Sequence, residues 1–127
     1  MSTETEIKVK IEDIEDFCLQ LNLLNPEVLA ERHFEDNYVL DFADRKLKSS
    51  QCLLRIRFAK ECGFLTFKGP PRPAGIFKTR EELETRVEDG MAMLQVLKRI
   101  GMSVCFRYQK YRREFALDQV NVAVDET

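Results

Sequence analysis

The chain has 127 residues, of which 44% are hydrophobic and 33% charged, a composition typical of one folded domain with one core. Its net charge of −2, from 20 basic and 22 acidic residues, excludes the broad positive field of a general nucleic-acid-binding protein. The sequence has no apolar run of membrane-spanning length, no secretory signal and no paired cysteine spacing, which predicts a reduced cytoplasmic protein with no membrane or nucleic-acid partner.

The first predicted element is a strand over 4–11, in which charged and apolar residues alternate without a break. Its charged side carries Glu4, Glu6, Lys8 and Lys10. Charges on one face of a strand are usually incidental, because such a face is often solvated. Here a functional role is favoured, because later strands repeat the pattern of charges on a single face.

A helix is predicted over 13–21, because apolar residues recur there at helical spacing. The Asn25-Pro26 pair ends one element and predicts a short helical turn over 27–32. A second strand is predicted over 36–42, followed by a polar connection over 43–50. His33, the only histidine, is expected on the surface or in a loop, with no catalytic role.

Two further strands are predicted over 52–58 and 63–69. Arg55 and Arg57 share one face of the earlier strand, and Thr66 and Lys68 lie together on the later one. The proline-rich stretch 69–75 cannot be a central strand, because its prolines lack ladder donors. We therefore expect a surface loop there, which could act as a lid.

The rest of the chain predicts three strands and one helix. Sustained alternation over 76–87 favours a strand over a helix, although Glu and Arg are good helix formers. A Met and Leu stripe predicts a packing helix over 88–100, with Gly101 where a C-cap belongs. Strands are predicted over 103–115 and 119–125, and the earlier of these carries Tyr108, Lys110 and Arg112 on one face.

The charged faces together hold eight bases and five acids. The bases are Lys8, Lys10, Arg55, Arg57, Lys68, Arg80, Lys110 and Arg112, and the acids are Glu4, Glu6, Glu82, Glu84 and Asp125. Arginine and lysine bind phosphate oxygens, whereas acidic residues would repel a phosphate unless Mg²⁺ or Mn²⁺ stood between them. The mixture predicts a metal-assisted polyphosphate site.

An alternative is that these residues form cross-strand ion pairs on exposed sheet faces. Alternation alone does not decide between the two interpretations. In a closed antiparallel barrel with helices outside, the apolar faces point outward and the polar faces line the lumen. Such an α+β antiparallel barrel is the predicted fold, in a single domain over 1–127.

The same residues resemble the CYTH family, the triphosphate tunnel metalloenzymes. The opening Glu4-x-Glu6-x-Lys8 is similar to the family's ExExK motif. The family's order continues with Leu54-Arg55-Ile56-Arg57, Leu65-Thr66-Phe67-Lys68-Gly69-Pro70, Arg80-x-Glu82-x-Glu84, Lys110-x-Arg112 and Val124-Asp125-Glu126. One motif would occur by chance in many charged chains, but the ordered set covers nearly the whole sequence.

The resemblance implies an antiparallel tunnel that binds a triphosphate. It implies that the bases hold phosphates, that Glu4, Glu6, Glu82, Glu84 and Asp125 hold Mg²⁺ or Mn²⁺, and that Lys8, Glu82 and Asp125 are catalytic. Arg80 could bind a phosphate or orient a carboxylate. The family normally continues into a last strand with two further glutamates, which predicts that this chain lacks a C-terminal strand and helices, and forms a homodimer or borrows a strand.

Three functions follow from the resemblance. The first is a metal-dependent hydrolase acting on inorganic tripolyphosphate, a nucleoside triphosphate or thiamine triphosphate. The second is a class IV adenylyl cyclase, which forms cyclic AMP and pyrophosphate from ATP. The third is a module that binds polyphosphate without turning it over.

Overall fold

The computed structural model describes residues 2–127, in which eight strands form one sheet accompanied by three helices. The strands are β1 (Ser2–Glu6), β2 (Glu27–Phe42), β3 (Leu53–Ala59), β4 (Cys62–Lys68), β5 (Arg72–Ala74), β6 (Phe77–Val87), β7 (Met102–Leu117) and β8 (Val120–Glu126). The helices are α1 (Ile14–Asn22), α2 (Lys46–Ser49) and α3 (Gly90–Arg99). The predicted α+β class is therefore confirmed.

The strand order is β1-β6-β4-β3-β2-β7-β8, and β5 pairs with β6 beside this path. The β1–β6, β3–β4, β4–β6, β5–β6 and β7–β8 pairs are antiparallel, as the barrel prediction requires. Among residues 2–127 the order is an open path with β1 and β8 at its ends. No helix in this part of the chain is long and apolar enough to cross a membrane.

The chain forms two compact units, each with its own apolar cluster. The first unit comprises the residues up to Ile7 and Asp36–Tyr108, and the second comprises Lys8–Glu35 and Gln109–Thr127. The buried centre of the first unit consists of Leu40, Ile56, Leu94 and Met102. That of the second consists of Cys18, Leu21, Phe115 and Val124.

Both longer helices begin at an aspartate, which explains why the sequence signals located them well. The Asp13 carboxylate accepts a hydrogen bond from the Asp16 N–H, and the Asp89 carboxylate accepts one from the Ala92 N–H, each at 3.0 Å. Lys98 and Arg99 in the last turn of α3 complement the helix dipole. Gly101 follows with a φ of +111°, which favours glycine.

The first strand is shorter than predicted. It pairs with β6 from Ser2 opposite Glu82 to Glu6 opposite Lys78, and β6 itself begins at Phe77. Because the partner strand ends there, the pairing cannot continue through 7–11, where the chain has no regular secondary structure. Ile11 packs against the apolar cluster of the second unit instead. The strand predicted over 7–11 is therefore wrong.

Two other local predictions are also wrong. Residues 27–32 form the first part of β2 and not a helical turn, because β2 has the 16-residue β7 beside it and sheet pairing overrides the local signal. His33 consequently lies within β2, with only 13% of its side chain exposed.

The two polar connections contain short elements that the sequence did not predict. The 69–75 stretch includes β5, in which Pro73 lies opposite Lys78, off the main strand path where a missing donor is tolerated. The 43–50 connection includes α2, whose first N–H groups donate hydrogen bonds to a side chain near the end of β2. There the Asp41 carboxylate accepts hydrogen bonds from the Leu47 and Lys48 N–H groups, each at 3.0 Å.

Candidate functional site

The residues singled out from the sequence fall into both units. The first unit holds Glu4, Glu6, Arg55, Arg57, Lys68, Arg80, Glu82 and Glu84. The second holds Lys8, Lys10, Lys110, Arg112 and Asp125. Apart from Lys8 and Lys10, these residues lie on strands, whose alternating side chains place the charges on one face.

In the first unit, two carboxyl groups lie beside one lysine. The Lys68 ammonium donates to both Glu4 oxygens, at 2.9 and 3.1 Å, and lies 3.5 Å from Glu82 Oε2. Strand register explains the arrangement, since Lys68 on β4 is directly opposite Glu82 on β6. Glu82 is also opposite Ser2 on β1, which brings Glu4, two residues further along, to the same face.

The two carboxyl groups share a proton. The hydrogen bond between Glu82 and Glu4, assisted by burial, raises the pKa of Glu82 to about 7. Burial also acts to raise the pKa of Glu4, but its hydrogen bonds with Glu82 and Lys68 outweigh this effect and lower it. Glu82 is therefore the protonated partner below neutral pH, and Glu4 is the carboxylate.

This pair fits a divalent cation. Carboxylate oxygens are the ligands that Mg²⁺ and Mn²⁺ prefer, and Mg²⁺ is commonly held by one or two carboxylates together with waters and substrate phosphates. The residues described contain no group of three or more Asp, Glu, His or Cys side chains placed to hold a metal. Glu4 and Glu82 would thus supply two protein ligands to such a cation.

Two arginines of β3 lie on the same sheet face and are held by residues of β2 and β7. Arg57 Nε donates to Asn37 Oδ1 at 2.7 Å, and Arg55 Nη1 donates to Tyr108 Oη at 3.2 Å. Arg55 is only 7% exposed, and its Nε has no hydrogen-bond partner among residues 2–127. A buried guanidinium with an unused donor is an energetic cost that an anionic ligand would remove.

The sequence did not single out Asn37, although it is fully buried and joins two strands. Its Oδ1 accepts from Arg57 and its Nδ2 donates to the main-chain oxygen of Tyr108 at 3.4 Å. The one signal was alternation: Tyr38 packs in the apolar cluster, so its neighbour Asn37 faces the other way. Tyr38 therefore has a packing role.

The other predicted residues of the first unit have different surroundings. Glu84 accepts a hydrogen bond from the fully buried Thr66 hydroxyl at 2.8 Å. Arg80 donates to two main-chain oxygens, that of Gly69 at 2.8 Å and that of Gln51 at 3.2 Å. Glu6 ends β1 and is exposed.

In the second unit, one carboxylate is saturated by cations. Asp125 accepts from Arg112 Nε at 2.6 Å, from Arg112 Nη2 at 2.9 Å and from the Lys110 ammonium at 3.0 Å. Burial acts to raise the pKa of Asp125, but these hydrogen bonds and charges outweigh it and lower the pKa to about 2. Arg112 is opposite Asp125 in the β7–β8 ladder, so the pair is a direct product of register.

The same unit contains a buried acid that the sequence analysis missed. Glu35 is 3% exposed, and its Oε2 lies 3.4 Å from His33 Nε2. Its negative charge also contributes to raising the pKa of Arg112, although burial opposes that rise. Lys8 and Lys10 are exposed and lie beyond the end of β1, in the 7–11 segment.

Comparison with known proteins connects this arrangement to one family. The CYTH domain matches residues 2–127. A protein of Methanocaldococcus jannaschii named "putative adenylate cyclase" is 33% identical over 123 residues, which are 97% of this chain and 69% of that protein.

Solved structures agree on the fold. A "putative adenylate cyclase" from Vibrio parahaemolyticus superimposes with a TM-score of 0.84 at 18% identity, over 97% of this chain and 67% of that one. A "putative adenylyl cyclase" from Hippeastrum, whose structure was described as revealing a dominant triphosphatase activity, gives a TM-score of 0.75 at 21% identity, over 97% and 72%. The chain thus spans about two thirds of the length of these relatives.

Proposed function

Because the chain belongs to the CYTH family, we propose that it is a metal-dependent enzyme that hydrolyses a triphosphate. The observation that carries the proposal is Arg55, a buried cation whose Nε has no hydrogen-bond partner in the part of the chain described. A phosphate oxygen would satisfy that donor and compensate the charge. The substrate would be tripolyphosphate, a nucleoside triphosphate or thiamine triphosphate.

The roles of the charged residues belong to this proposal. The phosphate-binding bases are Lys8, Lys10, Arg55, Arg57, Lys68, Lys110 and Arg112. The metal ligands are Glu4, Glu6, Glu82, Glu84 and Asp125, with Lys8, Glu82 and Asp125 acting at the reacting phosphate. Arg80 acts differently from the other bases, because its guanidinium is engaged by main-chain oxygens and holds the backbone around the site.

The chemistry is attack of water on a terminal phosphorus, with cleavage of the bond to the bridging oxygen. Arg55, Arg57 and Lys68 would hold the phosphates in place and stabilise the negative charge on the transferred group and on the leaving phosphate. The Glu4–Glu82 pair would release its shared proton to accept a divalent cation. When bound, Mg²⁺ or Mn²⁺ would polarise phosphate oxygens and lower the pKa of a bound water.

A second function is the cyclase, in which the ribose 3′-hydroxyl of ATP is the nucleophile and pyrophosphate leaves. The name of the M. jannaschii relative favours it, whereas the activity described for the Hippeastrum protein favours hydrolysis. We place hydrolysis first, because the same electrostatic clamp serves both reactions and hydrolysis needs no site for a ribose.

Product analysis tests the proposal. The purified chain is incubated with tripolyphosphate, ATP and thiamine triphosphate, each with Mg²⁺, with Mn²⁺ and with chelator. We expect metal-dependent phosphate release. Cyclic AMP and pyrophosphate from ATP would establish the cyclase instead, and binding without any product would leave a polyphosphate-binding module. If the chain forms no product and binds none of the three ligands, the proposal is overturned.

A further inference from the structure

An exposed aromatic ring on β7 contacts the tyrosine that accepts a hydrogen bond from the buried arginine. Phe106 and Tyr108 are two residues apart on this strand, and their ring centroids are 5.7 Å apart with an interplanar angle of 31°. This contact places both rings on the same side of β7. Phe106 is 59% exposed and belongs to neither of the two apolar clusters of residues 2–127. Its ring therefore contributes little to the core that the fold buries.

The aromatic pair is continuous with the cationic group of β3. The hydroxyl of Tyr108 accepts a hydrogen bond from Arg55 Nη1 at 3.2 Å. The main chain of Tyr108 is held in turn by the buried Asn37 amide. Tyr108 thus contacts the buried guanidinium of Arg55 through its hydroxyl and the exposed ring of Phe106 through its own ring. These three residues and Asn37 all belong to the first unit.

We propose that Phe106 is a stacking surface for a planar aromatic group carried by the substrate, so that the site takes an organic triphosphate in preference to inorganic tripolyphosphate. This inference rests on the proposed function, since it needs a phosphate at Arg55. A ligand whose phosphate satisfies Arg55 and whose ring covers Phe106 uses both features. Inorganic tripolyphosphate uses only the first.

The physical argument is that an exposed phenyl ring offers both apolar surface and a π-face. Offset stacking of a base on such a ring is tolerant of the identity of the base, because every base has a π-face. A nucleobase and the rings of thiamine share this chemistry. The structure therefore predicts a substrate with a planar aromatic group. The measured affinities for ATP and thiamine triphosphate identify which group it is.

Binding of three ligands to the full chain and to its variants tests the inference. Affinities for tripolyphosphate, ATP and thiamine triphosphate are measured by calorimetry, with chelator and again with Mg²⁺ at low temperature. We expect Phe106→Ala to weaken binding of at least one organic triphosphate by about 5- to 100-fold, the range that loss of one stacking contact implies. Tripolyphosphate binding should change less than about twofold, and Phe106→Trp should retain or improve organic binding.

The matched control is Phe77→Ala on β6, which removes another exposed phenyl ring of the same unit. Phe77 and Glu82 are an odd number of residues apart on that strand and so lie on opposite faces. The control should leave all three affinities unchanged. Since Phe106 is exposed and outside the core clusters, its replacement should not prevent folding, which a thermal unfolding curve checks.

The possible outcomes separate this inference from the function on which it rests. Equal losses for all three ligands, or no loss for either organic one, would overturn the stacking role while leaving triphosphate binding intact. Conversion of a dimer to a monomer by Phe106→Ala, without a selective loss of organic binding, would assign the ring to self-association and also overturn it. If the unmodified chain binds none of the ligands, the proposed function fails and the inference fails with it.

Discussion

Glu82 in the first unit and Asp125 in the second are carboxyl groups of similar exposure, 23% and 29% of their side chains, yet their pKa values are shifted in opposite directions. The pKa of Glu82 is raised to about 7 and that of Asp125 is lowered to about 2. Burial acts in the same direction on both groups, so it cannot cause the difference. The neighbours decide it: another carboxyl group beside Glu82, and two cations around Asp125.

The difference separates a unit that retains an unused donor, on Arg55, from one in which the carboxylate is compensated internally. In the first unit Glu4 and Glu82 lie beside one lysine, and Arg55 has an unused donor. In the second unit Asp125 is already neutralised by Lys110 and Arg112. A phosphate would satisfy the Arg55 donor of the first unit, whereas in the second unit it would have to replace existing ion pairs.

The largest effect on ligand binding is expected from removing the unused Nε donor of Arg55. Arg55→Gln should weaken tripolyphosphate binding by about 10- to 100-fold with or without metal, because a charge-assisted hydrogen bond to a buried group is lost. Calorimetry with the purified chain measures it. The control is Arg107→Gln, an arginine of the same unit that is 50% exposed and bonded to Asp36. Equal losses for both variants would show that Arg55 has no special role.

A smaller effect, on thermal stability, is expected from removing the charge of Asp125, which is paired with Arg112 and Lys110. Asp125→Asn should lower the melting temperature at pH 7, by on the order of 5 °C, because Arg112 and Lys110 each lose a charged acceptor. The pKa of Asp125 is depressed below its unfolded value of 3.8, so its stabilisation is full above that value and is lost as the pH falls towards about 2.

The difference in melting temperature between Asp125→Asn and the unmodified chain should therefore narrow as the pH falls from about 4 to about 2. Thermal unfolding followed by circular dichroism over this range measures it. A gap that stays constant with pH would mean that Asp125 stabilises the fold through packing and not through its charge.

The sequence predicted most of the fold because the alternation of β3, β4, β6, β7 and β8 is sustained and one face of these strands is apolar. Their bounds were correct to within two residues. It failed where pairing partners decide the length of a strand. β1 ends because β6 ends, and β2 begins early because β7 runs beside it, and neither limit is written in the local pattern.

The candidate site was predictable as a set of residue types but not as a set of pairs. Alternation identified the charged faces, yet only strand register places Glu82 beside Glu4 and Asp125 beside Arg112. Asn37 was missed because a single amide in a strand has no pattern of its own. The interpretation of cross-strand ion pairing describes Asp125 with Arg112 and Glu82 with Lys68, whereas the contact between the Glu4 and Glu82 carboxyl groups departs from it.

A pH-dependent effect is expected at the carboxyl pair. Because the pKa of Glu82 is raised from 4.5 to about 7, the fold favours its neutral form, and stability should be full below pH 4.5 and fall as the pH rises through about 7. Glu82→Gln should remove this dependence and melt above the unmodified chain at pH 8 in chelator. The matched control, Glu81→Gln, alters the next residue of β6, which faces the other side. If the control and Glu82→Gln respond alike, the shared proton has no influence on stability.

The smallest effect on binding is expected at Arg80, although the sequence placed it in the same motif as Glu82 and Glu84. Its guanidinium donates to the main chain at Gly69 and Gln51, which positions the end of β4 and the approach to β3. Arg80→Lys keeps the charge but cannot reproduce both contacts, so the melting temperature should fall by a few degrees while tripolyphosphate affinity changes less than about threefold. An affinity loss as large as that of Arg55→Gln, at unchanged stability, would instead make Arg80 a direct phosphate ligand.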